Sequence, residues 1–236
     1  MLIINGTVHT MEGLTIPGGY VEIRGNKIAG FGPMEECPKQ WEGEVFDAQG
    51  GHIQPGFVDA HCHLGMFGDA VGVEGDDGNE ATDPCTPHLR AVDAINPMDR
   101  CFQEAREAGV TTVLTGPGSA NVLGGTFLAM KTIGDRVDNM IVKDPVAMKC
   151  AFGENPKRCY RDKCDSTRMS TAAFLRGALN QARDYGARKQ AANGDVTKMP
   201  AYNQKLEALL PVLDGTIPLK AHAHQANDIF TALRIA

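Results

Sequence analysis

The stretch that most constrains what this chain can fold into is Gln54–His63, a short apolar run that ends in two histidines separated by one residue. Side chains alternate between the two faces of a strand, so His61 and His63 are predicted to point to the same face. Two imidazoles on one face at a strand end provide half of the roughly four ligands that zinc usually takes. Two neighbouring histidines often have no function, but a second pair at His222 and His224 favours a metal site.

The composition is that of an ordinary globular chain with an excess of acidic residues. The chain has 236 residues, enough to bury a core as one or two domains. Its hydrophobic content of 42% and charged content of 22% are typical values. The net charge of −6 argues against a surface that binds nucleic acid. No apolar run approaches the roughly 20 residues that cross a bilayer, so we expect no membrane partner.

The cysteines and the N-terminus indicate the compartment. Seven cysteines are scattered along the chain without a CxxC pair, which disfavours both a structural zinc knuckle and a disulfide framework. The apolar start Met1–Ile4 stops at Asn5 and Gly6, too soon for a secretory signal. A reducing environment fits this cysteine usage best, and we expect a cytoplasmic protein.

Residues 1–54 are predicted to form a small β-sheet domain. Short runs with period-two alternation are separated by turn residues, as in a series of strands. So few short strands do not close a core by themselves. The predicted strands are Leu2–Ile4, Tyr20–Ile23, Lys27–Ala29, Val45–Asp47 and His52–Ile53.

Residues 55–236 alternate between strand and helix patterns, which predicts an α/β domain with a parallel sheet. Together with the histidine pair at the end of the first strand, this order favours a TIM barrel with its site at the C-terminal strand ends. Asn96 is predicted to cap a helix that Gly109 ends, and Ser170 to cap a second, longer helix. Three further strands are predicted at Val110–Leu114, Val146–Phe152 and Ile217–His222.

A long irregular segment separates His63 from Asn96 and is rich in glycine and acidic residues, among them Asp69 and Asp76. Unstructured segments of this length inside a compact domain are either lids and binding loops or mobile, solvated loops. Both interpretations stay open: a lid over the histidine pair, or a solvated loop.

Alternation along two strands predicts which polar side chains face inward. Between residues 146 and 152 every second side chain is apolar, so Lys149 points to the opposite, inner face. A buried lysine requires a reason, such as a nearby acid or a modification that removes its charge. The same alternation would place Glu154 on the outer face, but Gly153 is expected to end the strand and let the Glu154 side chain turn inward. In the last strand, Lys220 and His222 share the inner face.

The run Pro55–His63 resembles the strand-one signature of the amidohydrolase superfamily and, more narrowly, of the imidazolonepropionase-related amidohydrolases. Three other segments carry the same resemblance: Gly109–Val113, Met148–Arg158 and Lys220–His224. The resemblance extends from Met1 to the last residue, but it covers only the first part of such an enzyme.

The resemblance implies a metal-dependent hydrolase that breaks a C–N bond in an amide, a cyclic amide or an amidine. The metal would activate a water and polarise the carbonyl of a small-molecule substrate. One or two divalent ions are implied, zinc in the first place, with manganese or iron as alternatives. The implied ligands are His61, His63 and His222, with a carboxylated Lys149 or Glu154 as the bridging anion, and His224 and Arg158 are candidate substrate contacts.

The sequence departs from this family at its end. Family members carry a later metal histidine and a catalytic aspartate, both of which would lie beyond Ala236. The expectation is therefore a (β/α)8 barrel of residues 55–236, truncated after about strand five, with no general base of its own. A second chain that supplies the rest of the barrel, or a homo-oligomer, would be its partner. The alternative is a catalytically incomplete fragment that serves as a metal-binding or interaction module.

Overall fold

The computed structural model describes residues 1–68 and 72–236, which divide into two compact units, Met1–Gly56 and Phe57–Ala236. Each unit has its own five-stranded sheet. Among the helices of the described residues, none combines the length and the apolar character needed to cross a membrane.

The first unit is a mixed sheet with the order β3-β2-β1-β4, in which β5 also pairs with β1. Gly25, at φ +60°, and the residue after it form the two-residue turn between β2 and β3, as the turn residues predict. All five strands expected from the sequence are present, and the first three are longer than predicted. Their bounds are β1 Leu2–His9, β2 Thr15–Arg24, β3 Lys27–Pro33, β4 Val45–Asp47 and β5 His52–Ile53.

The strands of the second unit lie in the order β10-β9-β8-β7-β6, which follows the chain, and helices lie in every connection except that from β7 to β8. The strands are β6 Phe57–Cys62, β7 Val110–Thr115, β8 Leu123–Lys131, β9 Ile141–Ala151 and β10 Leu219–His222. The helices are α1 Arg100–Glu107, α2 Val137–Met140, α3 Glu154–Tyr160, α4 Arg168–Ala192, α5 Gln204–Glu207, α6 Leu210–Leu213 and α7 Ala226–Ile235.

The expectation of an all-parallel sheet is wrong at β8, which runs antiparallel to both β7 and β9. The outer pairs, β6 with β7 and β9 with β10, are parallel as predicted. Residues 116–122 join β7 to β8 without a helix, and a connection this short only allows the chain to turn back on itself. A parallel return would need a crossover of about a dozen residues or more.

The sheet is strongly curled. The Nζ atom of Lys220 on β10 donates a hydrogen bond of 2.6 Å to the carbonyl of Ala60 on β6, at the other end of the strand order. In a flat sheet, strands four positions apart would lie about 19 Å from each other. A lysine side chain spans only about a third of that distance. The five strands therefore bend around a common axis, and the inner face of the sheet becomes concave.

Two helix starts differ from the sequence-based prediction. Helix α1 begins after Asp99, whose carboxylate accepts from the backbone N–H of Cys101. The amide oxygen of Asn96 instead accepts from the N–H of Met98, which forms a separate turn before the helix. Helix α4 is capped by Thr167, and Ser170 is the reciprocal partner in its capping box. The cap of α1 is thus three residues later than predicted and the cap of α4 three residues earlier, and in both cases the side chain that reaches the free N–H groups has similar chemistry to the one predicted.

The outer face of the curled sheet packs against α4. The apolar side chains of β9 that alternation assigns to this face do lie there, in a core cluster with α4 and the strand before α7. The inner face is therefore left to the side chains between them, including Lys149. The buried members of this cluster are Val122, Leu123, Met148, Cys150, Phe152, Leu175, Leu179, Ala182, Leu209 and Ile217.

The long segment after β6 is held to the rest of the second unit by specific contacts. The hydroxyl of Tyr160 donates to the carbonyl of Glu80 at 2.7 Å, and the N–H of Gly118 donates to the carbonyl of Gly78 at 2.7 Å. Short 3₁₀ turns occur at Gly72–Gly75 and Ala91–Asp93. These contacts show that the segment packs against the second unit instead of extending freely into solvent. Asp69 and the two residues after it lie outside the described residues.

Candidate metal centre

The end of β6 brings two imidazole rings together on the inner face of the sheet. The ring centroids of His61 and His63 are 5.1 Å apart. The Nδ1 atom of His63 lies 2.7 Å from the carbonyl oxygen of Gly116, to which it donates when it carries the proton. This bond leaves Nε2 of His63 available to a metal, which is the usual arrangement of a ligating histidine.

The electrostatic surroundings keep His61 neutral. Partial burial lowers the pKa of His61 to about 4, and the positive charges of Lys149 and Lys220 act in the same direction. Because the pKa is this low, the ring is deprotonated at neutral pH. A neutral imidazole is the form that binds metal ions.

Phe127 forms the floor of the site. This residue of β8 is fully buried, and its ring centroid lies 5.4 Å from that of His61 and 6.1 Å from that of His63. The Nζ atoms of Lys149 and Lys220 lie 5.8 Å and 5.2 Å from the same ring. One aromatic ring therefore contacts or faces four of the polar side chains on the inner face.

Lys149 is the most unusual group of the site. The residue is only 1% exposed and pairs in register with Lys220 on β10. Burial lowers the pKa of Lys149 to about 8, and the charge of Lys220 adds to this effect. Within residues 1–68 and 72–236, no carboxylate lies within ion-pair distance of its Nζ atom. The ammonium form is therefore held in a place that disfavours its charge.

His222, at the end of β10, lies on the same face as Lys220. Its Nε2 atom is 3.1 Å from the amide nitrogen of Asn155, which donates to it. The pKa of His222 is lowered, first by burial, then by His224 and by Lys149. The charge of Lys149 thus acts on both His61 and His222, which places the three groups within electrostatic reach of one another.

Glu154 and His224 form a more exposed group beside the inner face. Strand β9 ends before Gly153, whose φ of +78° turns the chain into α3, so Glu154 becomes its first residue. The carboxylate of Glu154 lies 3.7 Å from Nε2 of His224, and the rings of His222 and His224 are 4.5 Å apart. Both Glu154 and His224 are more than half exposed in their side chains.

Arg158 is placed differently from the other predicted residues. It is exposed on α3, and none of the side-chain hydrogen bonds or ion pairs found among the described residues involves it. Anywhere in residues 1–68 and 72–236, no three His, Cys, Asp or Glu side chains converge in a way that could hold a metal ion. The predicted ligand set therefore depends on Lys149 as an additional donor, and it stays a prediction.

Two residues of the site were not expected from the sequence. Phe127 opens the apolar run Phe127–Met130, where an aromatic residue reads as ordinary core, and Asn155 precedes a proline in a segment that resembles a loop. The close packing of Phe127 against Gly116 also shows that this ring belongs to the site. A Cβ atom on Gly116 would lie 2.3 Å from Phe127, so only glycine fits between this ring and the carbonyl that holds His63.

Known proteins resemble the chain in both sequence and structure. No protein-family model matches it. It is 32% identical over 219 residues to the amidohydrolase tasK of Hapsidospora irregularis, which covers 84% of this chain and 22% of that protein. It is 46% identical over 56 residues to an imidazolonepropionase of Myxococcus xanthus, which covers 22% of this chain and 13% of that protein.

The structure of an amidohydrolase from Thermotoga maritima MSB8 matches 100% of this chain with a TM-score of 0.93 and 41% sequence identity. The alignment covers 61% of that chain. This chain therefore spans less than two thirds of the length of each of these three relatives.

Proposed function

Since this chain is similar to amidohydrolases along its whole length, which confirms the resemblance seen in its sequence, we propose that it carries the metal-binding part of a hydrolase acting on C–N bonds. The bond belongs to an amide, a cyclic amide or an amidine of a small-molecule substrate. The activity of the whole enzyme is part of this proposal, because the chain spans 61% of its structural relative.

The observation that carries the proposal is the state of Lys149. A lysine that is 1% exposed, with a pKa of about 8 and no carboxylate within ion-pair distance among the described residues, has an amine that readily loses its proton. A neutral amine reacts with carbon dioxide to form a carbamate, and the amine proton is released. The product is an anion in place of a cation. That anion would explain why the inner face contains two lysines and three imidazoles in this region.

The donor set fits a divalent ion of the zinc type. Neutral imidazole nitrogens and a carboxylate-like oxygen are ligands that zinc accepts, and manganese or iron would accept them too. We propose His61, His63, His222 and carboxylated Lys149 as the ligands, with Glu154 as the alternative bridging anion. A divalent ion held by these residues would supply a water of near-neutral pKa and a Lewis acid for the substrate carbonyl.

The residues around these ligands orient them and limit the access of water. The carbonyl of Gly116 fixes the tautomer and the direction of the His63 ring. The buried ring of Phe127 packs against the rings of His61 and His63 and keeps water from that side of them. Asn155 holds His222 by its Nε2 atom, and this amide must move aside if that nitrogen is the ligand. We propose that His224 and Arg158 contact the substrate rather than the metal.

The metal content of purified variants tests this proposal. We expect the wild-type chain to bind zinc, manganese or iron, and Lys149→Met to lower the affinity at least about tenfold, because losing even a residue that only orients a metal ligand commonly costs about 10–100-fold. Lys143→Met is the matched control because Lys143 is an exposed lysine on the same strand, and it should leave metal binding unchanged. A wild-type chain that binds no metal after reconstitution would count against the proposal.

The nature of the bridging anion has its own readout. Carbon-13 NMR of protein equilibrated with labelled carbon dioxide should show a carbamate signal that disappears in Lys149→Met and persists in Lys143→Met. Equal spectra for the wild type and Lys149→Met, together with loss of metal in Glu154→Gln, would assign the bridge to Glu154.

A further inference from the structure

A second pair of histidines lies in the first unit, on β1 and β5. His9 is the last residue of β1, and His52 is the first residue of β5, which runs parallel to β1. His52 is opposite Thr7 in the register, and His9 lies two residues beyond Thr7. Residues two apart on a strand share a face, so both rings lie on the same side of the sheet.

The two rings approach each other through one nitrogen each. Nε2 of His9 lies 2.8 Å from Nδ1 of His52, with the ring centroids 5.0 Å apart and the ring planes at 26°. Two nitrogens that bind one tetrahedral zinc ion, each at about 2.0–2.1 Å, are about 3.3 Å apart. The pair therefore needs to open by only about half an ångström to accept an ion in place of the shared proton.

A third side chain, that of Thr15, can accept a hydrogen bond from the tautomer of His9 that such an ion requires. Oγ1 of Thr15, which pairs with His9 across β1 and β2, lies 3.4 Å from Nδ1 of His9. If the proton of His9 moves from Nε2 to Nδ1, it can be donated to this hydroxyl. Both facing nitrogens then present lone pairs, and no net proton is released. Ligating histidines usually have such a partner behind the metal-binding nitrogen.

We propose that His9 and His52 form a zinc-binding site of the first unit, additional to the candidate metal centre. His52 is exposed and His9 partly exposed, so water molecules can complete the coordination of the ion. Two imidazoles select ions such as zinc or copper over magnesium and calcium, which prefer oxygen ligands. A bound ion would join β5, which has only two residues, to β1 through side chains as well as through the backbone.

Equilibrium dialysis of the full chain against zinc tests this site after removal of metals with a chelator. His9→Gln and His52→Gln should each lose one zinc equivalent per chain or bind it at least tenfold more weakly. Thr15→Val keeps both imidazoles and should weaken binding several-fold. Glu12→Gln is the matched control, because it removes a charge near His9 but no imidazole, and it should bind zinc like the wild type.

A double variant, His61→Asn with His63→Asn, separates this site from the metal centre of the second unit. The zinc equivalent assigned to His9 and His52 should persist in that background and disappear when His9→Gln is added. Circular dichroism verifies that each variant is folded. Equal zinc content in the wild type, His9→Gln and His52→Gln would overturn the proposal, as would loss in one of these two variants but not in the other.

Discussion

The burial of the Lys149 ammonium opposes the stability of the fold. In the metal-free chain, Lys149→Met should stabilise the fold at neutral pH, because the folded protein no longer buries a charge. The pKa of Lys149 is about 8 in the folded chain, against about 10.4 for an unfolded lysine. Between these values the unfolded chain binds more protons, so wild-type stability rises with pH there.

The advantage of Lys149→Met, at most about 3 kcal/mol, is therefore fully present below about pH 8 and should shrink as the pH rises to about 10. Urea unfolding of both proteins at several pH values measures the difference, with chelator present throughout. Lys143→Met should show no such trend, since its side chain is exposed. A difference between wild type and Lys149→Met that is constant over this range would contradict the expected burial.

Single residues also show why only part of the site could be predicted from the sequence. The shared face of His61 and His63 follows from the period of a strand, and the inward direction of Lys149 follows from its apolar neighbours on both sides. Phe127 has no such signal, because an aromatic residue in an apolar run is normally part of the core. Its position under the rings depends on the curl of the sheet, which a linear pattern does not contain.

Among the elements, β8 explains the main error in the predicted fold. Its residues from Leu123 to Met130 are all buried, on both faces, and a strand of this kind shows no alternation. The sequence therefore contains no sign of its direction. Only the shortness of the connection from β7 requires it to run antiparallel. In contrast, β6 was recognised from the histidines that end its apolar run, and β9 from an apolar run that contains the single charged residue Lys149.

The first residue of the connection from β7 to β8 is expected to tolerate no side chain. Gly116→Ala would place a Cβ atom 2.3 Å from Phe127, and we expect a loss of about 1–3 kcal/mol in stability, as for other overpacked cores. Metal affinity should fall as well, because the carbonyl of Gly116 orients His63. Denaturant unfolding and zinc titration measure the two effects.

Gly177→Ala in α4 is the matched control. A Cβ atom there meets no other atom within 4 Å, so alanine should stabilise the helix by about 0.5–1 kcal/mol. If Gly116→Ala were as stable as the wild type and bound metal equally well, the packing of Phe127 against this turn would be wrong.

At the scale of the whole second unit, we expect the hydrogen bond of Lys220 to help stabilise the curl of the sheet. Lys220→Met removes the hydrogen bond from β10 to Ala60 on β6, and we expect a loss of about 1 kcal/mol together with faster hydrogen exchange in both strands. Lys131→Met is the control, because Lys131 donates to Thr112 between two strands that backbone bonds already join. Equal exchange in the two variants would show that the curl does not need Lys220.

The contact between Lys220 and Ala60 joins residues that are 160 positions apart in the chain, and this separation has a consequence for the order of folding. Closing a segment of this length costs about 2 kcal/mol more entropy than closing one a tenth as long, so the contact belongs to the late steps. At about 5–20 residues per second of synthesis, the ribosome adds His222 roughly ten to thirty seconds after His61. If His61 and His63 bind a metal as proposed, they must wait through that interval before His222 can complete the site with them.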